Sequence, residues 1–569
     1  MTPLRPRNVT LLTTVVLSLA APATAGADIG PDGTCTGDAI TPDRVVTGTF
    51  PAALQGSYVM VPIDVPRGAD GLRVKYCFSQ PDGPTTAGAR NTLDLGLWDP
   101  DGFRGWGGSS HPDVTVSRVG FSSEAEYRAD PRGDVPGRTT RGFLPGRVPA
   151  GRWEVELGVG GVLTPEQGNP PGTVDWRVEV DFLERADGPA YRPARYDRSP
   201  ARRSPGWYTG DLHVHAEHSA LGDATMREVF EYAFRPLRRG GAGLDFVTLS
   251  DYVTSSGWGE IGRYQADHPG RLIVRSAEVI TYRGHTNNHA SASYVDHRLG
   301  PVHELAPDGA VRLRRGPRPP SSLFRAVQRA GGFTQINHPR IFPSDVSVFA
   351  LLCRGCPWDY SDAETDLRRV DAIELATGPA SVESGDDPDT LSFTRDAIAY
   401  YQRVLATGAH VAAVAVSDSH DGGSPSNPVT ERPVGQGATV VRARELSERG
   451  VAAAVRAGHA YAKLLGSQGP DLRFSASAGG RRAIMGDTIR GGSRVRLRAR
   501  VTGATATAVP GTRPYSLVVQ RDGVEVSRLP VTSARQDFRL RATGPGRWGL
   551  QLERGRLIAA VTTPIWVTS

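Results

Sequence analysis

The pattern of apolar and polar positions divides the chain into regions of different secondary structure. Between residues 26 and 200, short runs that alternate apolar with polar residues, such as GSYVMVPIDV and VDWRVEVDF, are separated by turns rich in Gly and Pro. A period of two is typical of antiparallel strands that bury one face. The pattern therefore predicts an N-terminal β-sandwich over residues 26–200, followed by a linker rich in Pro, Ser and Arg.

The pattern changes between residues 205 and 465, where strand-like and helix-like segments alternate. Apolar runs such as LDFVTL and HVAAVAV are separated by amphipathic segments such as LSFTRDAIAYYQRVLATG. In that last segment Phe393, Ala397 and Tyr401 share one helical face, and Gly408 is a natural C-terminal stop. Alternation of this kind predicts a central α/β domain with a mostly parallel sheet or barrel.

Short alternating runs return in the last part of the chain. SRVRLRARV, YSLVVQRDG and WGLQLERG predict a small C-terminal β-sandwich of the immunoglobulin-like kind over residues 466–569. A chain of 569 residues is too long for one hydrophobic core, so a multidomain protein is expected.

The first 25 residues have the layout of a secretory signal. Arg5 and Arg7 precede a short apolar segment that ends in small residues, which predicts cleavage after Ala25 or Ala27. An uncleaved anchor is the alternative, but the apolar run is short for a membrane span, and no later segment approaches the ~20 apolar residues that one needs. We expect the mature protein to be secreted, extracellular and without a membrane span.

Cysteine usage fits an oxidising compartment. Cys35 and Cys77 both lie in the N-terminal region, and Cys353 and Cys356 form CRGC, so two local disulfides are expected. A redox-active CRGC pair is the alternative, although a thioredoxin-like sequence context is missing.

Charge points to no polyanionic partner. The net charge of +6 comes almost entirely from Arg, and the basic residues are interspersed with acidic ones along the sequence. Mixed, solvated surfaces are the expected result, with neither a nucleic-acid patch nor a membrane-surface patch. The sequence does not predict the oligomeric state.

Apolar runs of the central region end in residues that bind metals. In barrel-like α/β folds the C-terminal ends of the strands face one mouth, so residues far apart in sequence converge there. One such residue alone is more often structural, and Asp251 alone is best explained as a helix N-cap. The His-x-His and Asp-x-His pairs favour a joint site, because each pair points to one side of a strand. The candidates are His213, His215, Asp251, Glu278, His338, Asp418 and His420.

These segments resemble a known family. GDLHVHAEHS, LDFVTLSDY, AEVITYRGHTNNH, INHP and VSDSH, in this order, are similar to the motifs of the PHP (polymerase and histidinol phosphatase) superfamily of metal-dependent hydrolases. The later GATVVRARELSERGVAAAVRAGHAYA and IMGDTI resemble its carbaryl-hydrolase-like branch. The resemblance implies a distorted (β/α)7 barrel with two or three divalent ions, Zn, Mn or Fe, in its mouth.

The resemblance also implies roles for individual residues. Glu278 corresponds to a carboxylate that bridges metals, and Asp251, His338 and Asp418 are the expected catalytic residues. The implied metal ligands are His213, His215, Asp251, Glu278, His285, His338, Asp418 and His420.

The sequence departs from the family motifs at two positions. Tyr252 stands where the second motif usually has a ligating His, and Ala220 follows Ser219 where the first motif usually continues with Asp. His218 or Asp223 is a candidate for the missing ligand, and His289 competes with His285. One metal site is therefore expected to be altered, weakened or lost.

Coordination chemistry connects these residues to a reaction. Imidazole and carboxylate ligands suit Zn, Mn or Fe, and water shared by two such ions becomes a metal-bound hydroxide nucleophile near neutral pH. Arg283 and Arg340 are candidates to stabilise anionic charge. Hydrolysis of phosphoesters in a small-molecule or cell-envelope substrate is the leading hypothesis. Carbamate or carboxylic ester hydrolysis is the second, and a catalytically impaired metal- or glycan-binding protein is the third.

Overall fold

The computed structural model describes residues 28–30, 33–37, 40–130, 137–345, 347–352, 355–376, 393–423, 432–504, 514–555 and 557–569. The expected signal segment, residues 1–25, lies outside the described residues. So does Cys353, and its bridge to Cys356 therefore stays a prediction. Among the described residues, no helix is both long enough and apolar enough to cross a membrane.

The N-terminal region consists of two β-sheets around one hydrophobic core. Its strands and helix are β1 Arg44–Pro51, β2 Tyr58–Val65, β3 Gly71–Phe78, β4 Thr92–Asp99, β5 Gly102–Gly108, β6 Asp113–Ser117, α1 Glu124–Ala129, β7 Gly151–Gly161 and β8 Thr173–Leu183. One sheet has the order β1-β8-β3-β6, and the other contains β2-β7-β4-β5. Apolar residues of both sheets, including the buried Trp153 and Trp176, share the core. A disulfide joins Cys35 to Cys77 of β3, which confirms that predicted pair.

The central region alternates strands with helices, as the sequence pattern predicts. Its elements are β9 Gly206–Asp211, α2 Met226–Phe234, β10 Phe246–Leu249, α3 Ile261–Asp267, β11 Leu272–Arg275, β12 Glu278–Thr281, β13 Gly284–His289, β14 Val302–Leu305, β15 Val311–Arg315, α4 Pro320–Arg329, β16 Phe333–Ile336, α5 Ser347–Leu352, α6 Asp362–Thr365, β17 Ala372–Ala376, α7 Phe393–Ala406, β18 Ala412–Ala415, β19 Ala438–Ala443, α8 Glu448–Arg456 and β20 Ala460–Lys463. In α7 the residues Phe393, Ala397 and Tyr401 are buried on one face. Gly408 follows the helix with a positive φ of 88°, a backbone conformation that Gly adopts without strain.

The central strands lie in two mixed sheets. One path runs β11-β10-β9-β19-β20, and the other sheet has the order β12-β13-β16-β17-β18. Pairing is parallel within β9-β10-β11 and within β16-β17-β18, but β13 is antiparallel to β12 and β16, and β19 is antiparallel to β9 and β20. The sheet is therefore less parallel than expected, because the two-residue turn between β12 and β13 makes a hairpin.

Two isolated bridges connect the two central sheets. Val214 pairs with Ser419, and Tyr252 pairs with Glu278, each in parallel orientation. The described strands form two sheets joined at these points rather than one continuous hydrogen-bonded cylinder. A closed (β/α)7 barrel is therefore not confirmed, although the ends of β9, β10, β12 and β18 meet where the bridges lie.

The β-sheets cross the domain boundaries that the sequence pattern suggests. Strand β14 pairs in parallel with β2, so the β14-β15 hairpin of the central region extends the N-terminal sheet. The linker also packs on the central region, because Ala201 donates its backbone N–H to the backbone oxygen of Leu446 and Arg202 contacts Asp245 at 2.6 Å. Local alternation identifies strands but not their partners, so sequence could not reveal these connections.

The C-terminal region continues the central sheet. Its strands are β21 Asp471–Ala478, β22 Arg481–Ile484, β23 Thr488–Arg490, β24 Arg496–Thr502, β25 Tyr515–Arg521, β26 Val524–Pro530, β27 Arg535–Arg541, β28 Gly546–Arg554, β29 Leu557–Thr562 and β30 Ile565–Thr568. Strand β20 pairs with β29, so a boundary at residue 465 divides one continuous sheet. A second sheet, β22-β21-β24-β27, packs its inner face on the same core.

Candidate metal centre

Two buried histidines follow β9. In the extended segment after Asp211, Leu212 and Val214 pack into apolar cores, so the alternate residues His213 and His215 point the other way. Both rings are fully buried. The His-x-His spacing thus delivers two imidazoles to one side of the chain.

The first candidate ligand group combines these histidines with two carboxylates. His213 Nε2 lies 3.1 Å from Glu278 Oε2 and 3.1 Å from Asp418 Oδ1. His215 Nε2 lies 3.0 Å from Asp418 Oδ1 and 3.4 Å from Glu278 Oε2. The ligand atoms of these four residues all lie within 4.8 Å of one another, close enough to share one ion.

The second group shares Glu278 with the first. Glu278 Oε1 lies 3.2 Å from His285 Nδ1 and 3.4 Å from His338 Nε2, so each carboxylate oxygen faces a different set of histidines. Asn337 holds the carboxylate in place by donating its Nδ2–H to Oε1 at 2.9 Å. This is the arrangement expected of a carboxylate that bridges two metal ions.

Glu374 of β17 supports both groups and was not predicted from the sequence. Its Oε1 lies 2.8 Å from His213 Nδ1 and accepts a hydrogen bond from Gln335 Nε2 at 2.6 Å, while its Oε2 accepts the backbone N–H of His338 at 2.7 Å. The only signal in the sequence was that Glu374 is one of two acidic residues, with Asp371, in the largely apolar run VDAIELA. A carboxylate behind a ligating histidine fixes the ring orientation and tautomer.

The electrostatics of the centre call for a cation. When His213 donates its Nδ1–H to Glu374, its Nε2 carries a lone pair that faces two carboxylate oxygens. Within the described chain, His213 Nε2, Glu278 Oε2 and His285 Nε2 are buried without a hydrogen-bond partner. Such electron-rich atoms repel one another unless a positive charge lies between them, and these donors suit Zn, Mn or Fe. The residues present therefore fit divalent metal binding.

The pKa shifts have the same cause. Burial lowers the pKa of His213, but the carboxylates of Asp418, Glu278 and Glu374 outweigh it and raise that pKa well above its usual value. Burial raises the pKa of Glu278, but His213 and its other histidine partners hold it well below the usual range. In each case neighbouring opposite charge dominates over desolvation.

Backbone strain coincides with two of the candidate ligands. His338 and Asp418 have positive φ angles of 25° and 55°, which non-glycine residues rarely adopt. Strain of this kind persists where surrounding contacts determine the conformation, and it is concentrated at functional sites.

His420 lies beside the centre but outside both groups. Its Nδ1 is 3.1 Å from the backbone oxygen of Asp418, its Nε2 is 2.9 Å from the Tyr252 hydroxyl, and its ring stacks on His215. The tyrosine that replaces the usual motif histidine thus contacts one ring nitrogen of His420. The role of His420 as a metal ligand, and the altered metal site expected at Tyr252, stay predictions.

Asp251 also lies outside both groups. Its Oδ1 accepts the backbone N–H of Ala216 at 2.8 Å, so it fixes the His-x-His segment instead of capping a helix. Burial raises its pKa well above the usual value.

The three less certain candidates lie outside both ligand groups, although the backbone N–H of Asp223 donates to the backbone oxygen of His420 at 3.1 Å. His218 Nδ1 lies 2.9 Å from Ser256 Oγ, and its ring contacts Phe121 edge to face. Asp223 is exposed. His289 lies between Ser276 and Gln335, and burial lowers its pKa to about 3, as expected of a neutral structural histidine.

The two candidate arginines differ in position. Arg283 pairs with Glu364 at 2.8 Å and is half exposed. Arg340 lines a small cavity together with His338 and Glu374, and its charge opposes the rise that burial causes in the pKa of Asp396.

Comparison with known proteins gives distant structural likenesses. No family model matches the chain, and no curated protein matches it. A two-domain protein of Bacteroides vulgatus, described as containing a predicted PHP-like metal-dependent phosphoesterase, is 15% identical, with 65% of this chain and 96% of that chain covered and a TM-score of 0.32.

Two further structures are similar to parts of the chain. A proposed metal-dependent phosphoesterase of Bifidobacterium adolescentis is 14% identical, with 39% of this chain and 92% of that one covered and a TM-score of 0.24. A lesion-specific endonuclease of Pyrococcus furiosus is 12% identical, with 44% and 56% covered and a TM-score of 0.26. TM-scores in this range do not establish a common fold, so function must be inferred from the site's own residues.

Proposed function

We propose that this protein is a metal-dependent hydrolase of phosphoesters. One observation carries the proposal: Glu278 presents one oxygen to His213, His215 and Asp418 and its other oxygen to His285 and His338. Two divalent ions held in this way supply Lewis acidity toward a phosphoryl oxygen and lower the pKa of water.

The chain's own residues have distinct roles in this proposal. His213, His215 and Asp418 would hold one ion, His285 and His338 the other, and Glu278 both. Glu374 orients His213 and the backbone of His338, and Asn337 orients Glu278. Asp251 fixes the His-x-His segment by accepting the backbone N–H of Ala216.

Arg340 is our candidate for distinguishing a phosphoester from a neutral ester. It lines a small cavity with His338 and Glu374, its charge also acts on Asp396, and a guanidinium binds a phosphoryl group through paired hydrogen bonds. A neutral carbamate or carboxylic ester gains less from this cation. Arg340→Gln should therefore raise KM for a phosphoester more than for an aryl ester.

The proposal is tested by metal content and activity together. Purified protein is expected to contain about two divalent ions per chain, and to hydrolyse phosphomonoesters or phosphodiesters when Mn²⁺ or Zn²⁺ is supplied. His213→Ala and Asp418→Ala should abolish both properties. His303→Ala and Asp308→Ala are controls, because these residues lie on and beside the β14-β15 hairpin, away from the centre.

The other two hypotheses are outcomes of the same assay. Faster turnover of aryl esters or carbamates than of any phosphoester would favour the second hypothesis and contradict ours. Bound metal without turnover of any ester would favour the binding protein. Absence of metal would contradict both hydrolase hypotheses and favour a glycan-binding protein.

We also propose that the mature protein is exported. The Cys35–Cys77 disulfide supports this, because such bonds persist in oxidising compartments. The test is N-terminal mass spectrometry of protein recovered from the culture medium, where a chain beginning at residue 26 or 28 is expected. Protein found only inside the cell, with its first 25 residues intact, would contradict export.

A further inference from the structure

The outer face of the C-terminal sheet β22-β21-β24-β27 is lined with arginines. On β24, Arg496, Arg498 and Arg500 are exposed, while the residues between them are buried in the core. Because side chains alternate between faces, the sequence RLRAR at the start of β24 places its three arginines on the solvent side. The evenly mixed surface expected from the sequence is therefore not found here.

Strand pairing brings these arginines together across the sheet. Arg496 pairs with Arg541 of β27, and Arg498 pairs with Arg539. On the other side, Ser477 of β21 separates Arg496 from Arg482 of β22. The result is an array of arginines whose backbone positions are about 6.6 Å apart along a strand, on neighbouring strands about 4.8 Å apart. This set of arginines, 482, 496, 498, 539 and 541, is called the arginine face.

The arginine face has almost no compensating negative charge. In the part of the chain that the structure describes, the acidic residues on this face of β21, β24 and β27 are Asp537 and Asp471. Arg500 holds Asp537 in a bidentate pair at 2.6 and 3.1 Å, and Asp471 accepts from Tyr461 and Lys463. Arg500 also lowers the pKa of Asp537. Like charges directly opposite one another destabilise a sheet, so this arrangement has a cost in stability that invites a functional explanation.

Small residues on β21 make a groove between the arginines. Ser475 and Ser477 form its floor, and Arg482 stands on one side with Arg496 and Arg498 on the other. The groove has a volume of about 760 Å³. Its serine hydroxyls are hydrogen-bond donors suited to phosphate oxygens.

The lining of the groove lacks one feature of nucleic-acid sites. Its residues, 475–484 with Arg494, Arg496 and Arg498, include no aromatic side chain. Proteins that bind single-stranded nucleic acids combine basic grooves with aromatic side chains on which bases stack. A polymer with repeated phosphates and no bases matches both the positive charge of the groove and its lack of aromatic side chains.

We propose that the arginine face binds a linear polyphosphodiester through its phosphates alone, a polymer whose repeating units carry no stacking base. The inference is independent of the proposed hydrolase activity, because none of its residues belongs to the metal centre. A polyol phosphate polymer has this chemistry.

The test compares two ligands with the same charges. An abasic deoxyribose phosphate oligomer and oligothymidylate of equal length differ only in their bases. Binding of each to the full-length protein is measured by fluorescence anisotropy across a range of salt concentrations. The abasic oligomer is expected to bind at least as tightly as oligothymidylate.

Matched variants locate the binding surface. The triple variant Arg496→Gln, Arg498→Gln, Arg541→Gln should weaken binding at least tenfold. It should also reduce the slope of log K against log salt by about two, since each neutralised single-strand phosphate contributes about 0.7. The triple variant Arg235→Gln, Arg238→Gln, Arg239→Gln removes the same charge from exposed positions near α2 and should leave binding unchanged.

Folding and catalysis are separated by two further measurements. The first triple variant should melt at the same temperature or higher, because it removes like-charge pairs. Glu278→Gln should bind the oligomer as the unaltered protein does.

Three results would overturn the proposal. One is no binding of the abasic oligomer at low salt. Another is equal weakening by both triple variants. The third is tighter binding of oligothymidylate, because base stacking adds roughly five- to hundredfold in affinity per base.

Discussion

The metal centre and the arginine face differ in how their charged groups are compensated. At the buried centre, His213 and Glu278 lie among groups of opposite sign, and each holds the other's pKa away from its usual value. At the exposed face, Arg496 and Arg541 lie directly opposite each other with the same sign. Burial makes uncompensated charge prohibitively costly, whereas water and salt screen it at the surface.

The difference indicates which cluster needs a ligand to be stable. Even the buried centre is compensated only in part, because Glu278 Oε2 and His285 Nε2 have no hydrogen-bond partner within the described chain. The arginine face needs no ligand to fold, since solvent hydrates every guanidinium. Removing a ligand should therefore destabilise the first region and leave the second unchanged.

Metal removal should have the largest effect. A chelator is expected to abolish hydrolysis and lower Tm, because an ion present at a thousandfold excess over its Kd stabilises the fold by about 4 kcal/mol. Because neighbouring carboxylates raise the pKa of His213, a proton competes with the ion for this ring, so metal affinity should fall as pH falls. Calorimetry in buffers of different ionisation enthalpy measures the proton release. An unchanged Tm after chelation would contradict the prediction.

Glu278→Gln should have the next largest effect. The amide keeps the shape but removes the negative charge that both histidine groups share, so we expect metal content to fall and activity to drop by more than ~10²-fold, beyond the loss typical of an outer carboxylate. Metal analysis and kinetics on the same sample measure both. A variant that keeps two ions per chain would show that Glu278 does not bridge.

Glu374→Gln should weaken metal affinity or activity roughly 10- to 100-fold, the range for carboxylates that orient a ligating histidine. Glu156→Gln is a matched control, because Glu156 is equally buried and also lies 2.8 Å from a histidine, His297, in another part of the molecule. Both variants should lower Tm, but only the first should change metal affinity in a titration. Equal metal affinities of the Glu374→Gln and Glu156→Gln variants would show that Glu374 has a structural role only.

The sequence indicates a residue of the centre most directly where a local pattern sets the direction of its side chain. His213 and His215 converge because alternate residues of an extended segment share a side, and Glu278 begins β12, at the sheet edge where its neighbours meet. Glu374 could not be predicted, since an acidic residue inside an apolar strand has no spacing that marks it. The strand pairing of β14 with β2 could not be predicted either, because the partner strand is more than 200 residues away in the sequence.

His420 shows how a neighbour can redirect a residue that fits the motif. Its spacing from Asp418 is that of the family pattern, yet its Nε2 faces the Tyr252 hydroxyl at 2.9 Å. The arginine face was missed for a different reason. Counting charges along the sequence mixes both faces of a strand, and only pairing in the sheet shows that Arg496 and Arg541 share a side.

Tyr252→Phe should have a modest effect at the edge of the centre. Loss of one hydrogen bond to His420 is expected to cost about 1 kcal/mol of stability, with metal content unchanged. The measurements are Tm and metal analysis. A gain of a third ion would show that Tyr252 alone keeps His420 from acting as a ligand.

Arg541→Gln should have the smallest effect, with a sign opposite to that of every change at the centre. It removes a like charge opposite Arg496, so at low salt the free energy of unfolding should rise by about a few tenths of a kcal/mol. The gain should vanish at high salt, because the repulsion between exposed charges is screened. Arg528→Gln is the control, since Arg528 pairs with Glu525 and Glu553 and its loss should stabilise nothing. If Arg541→Gln lowered stability at low salt, the two arginines would not repel each other, and the contrast between a compensated centre and an uncompensated face would fail.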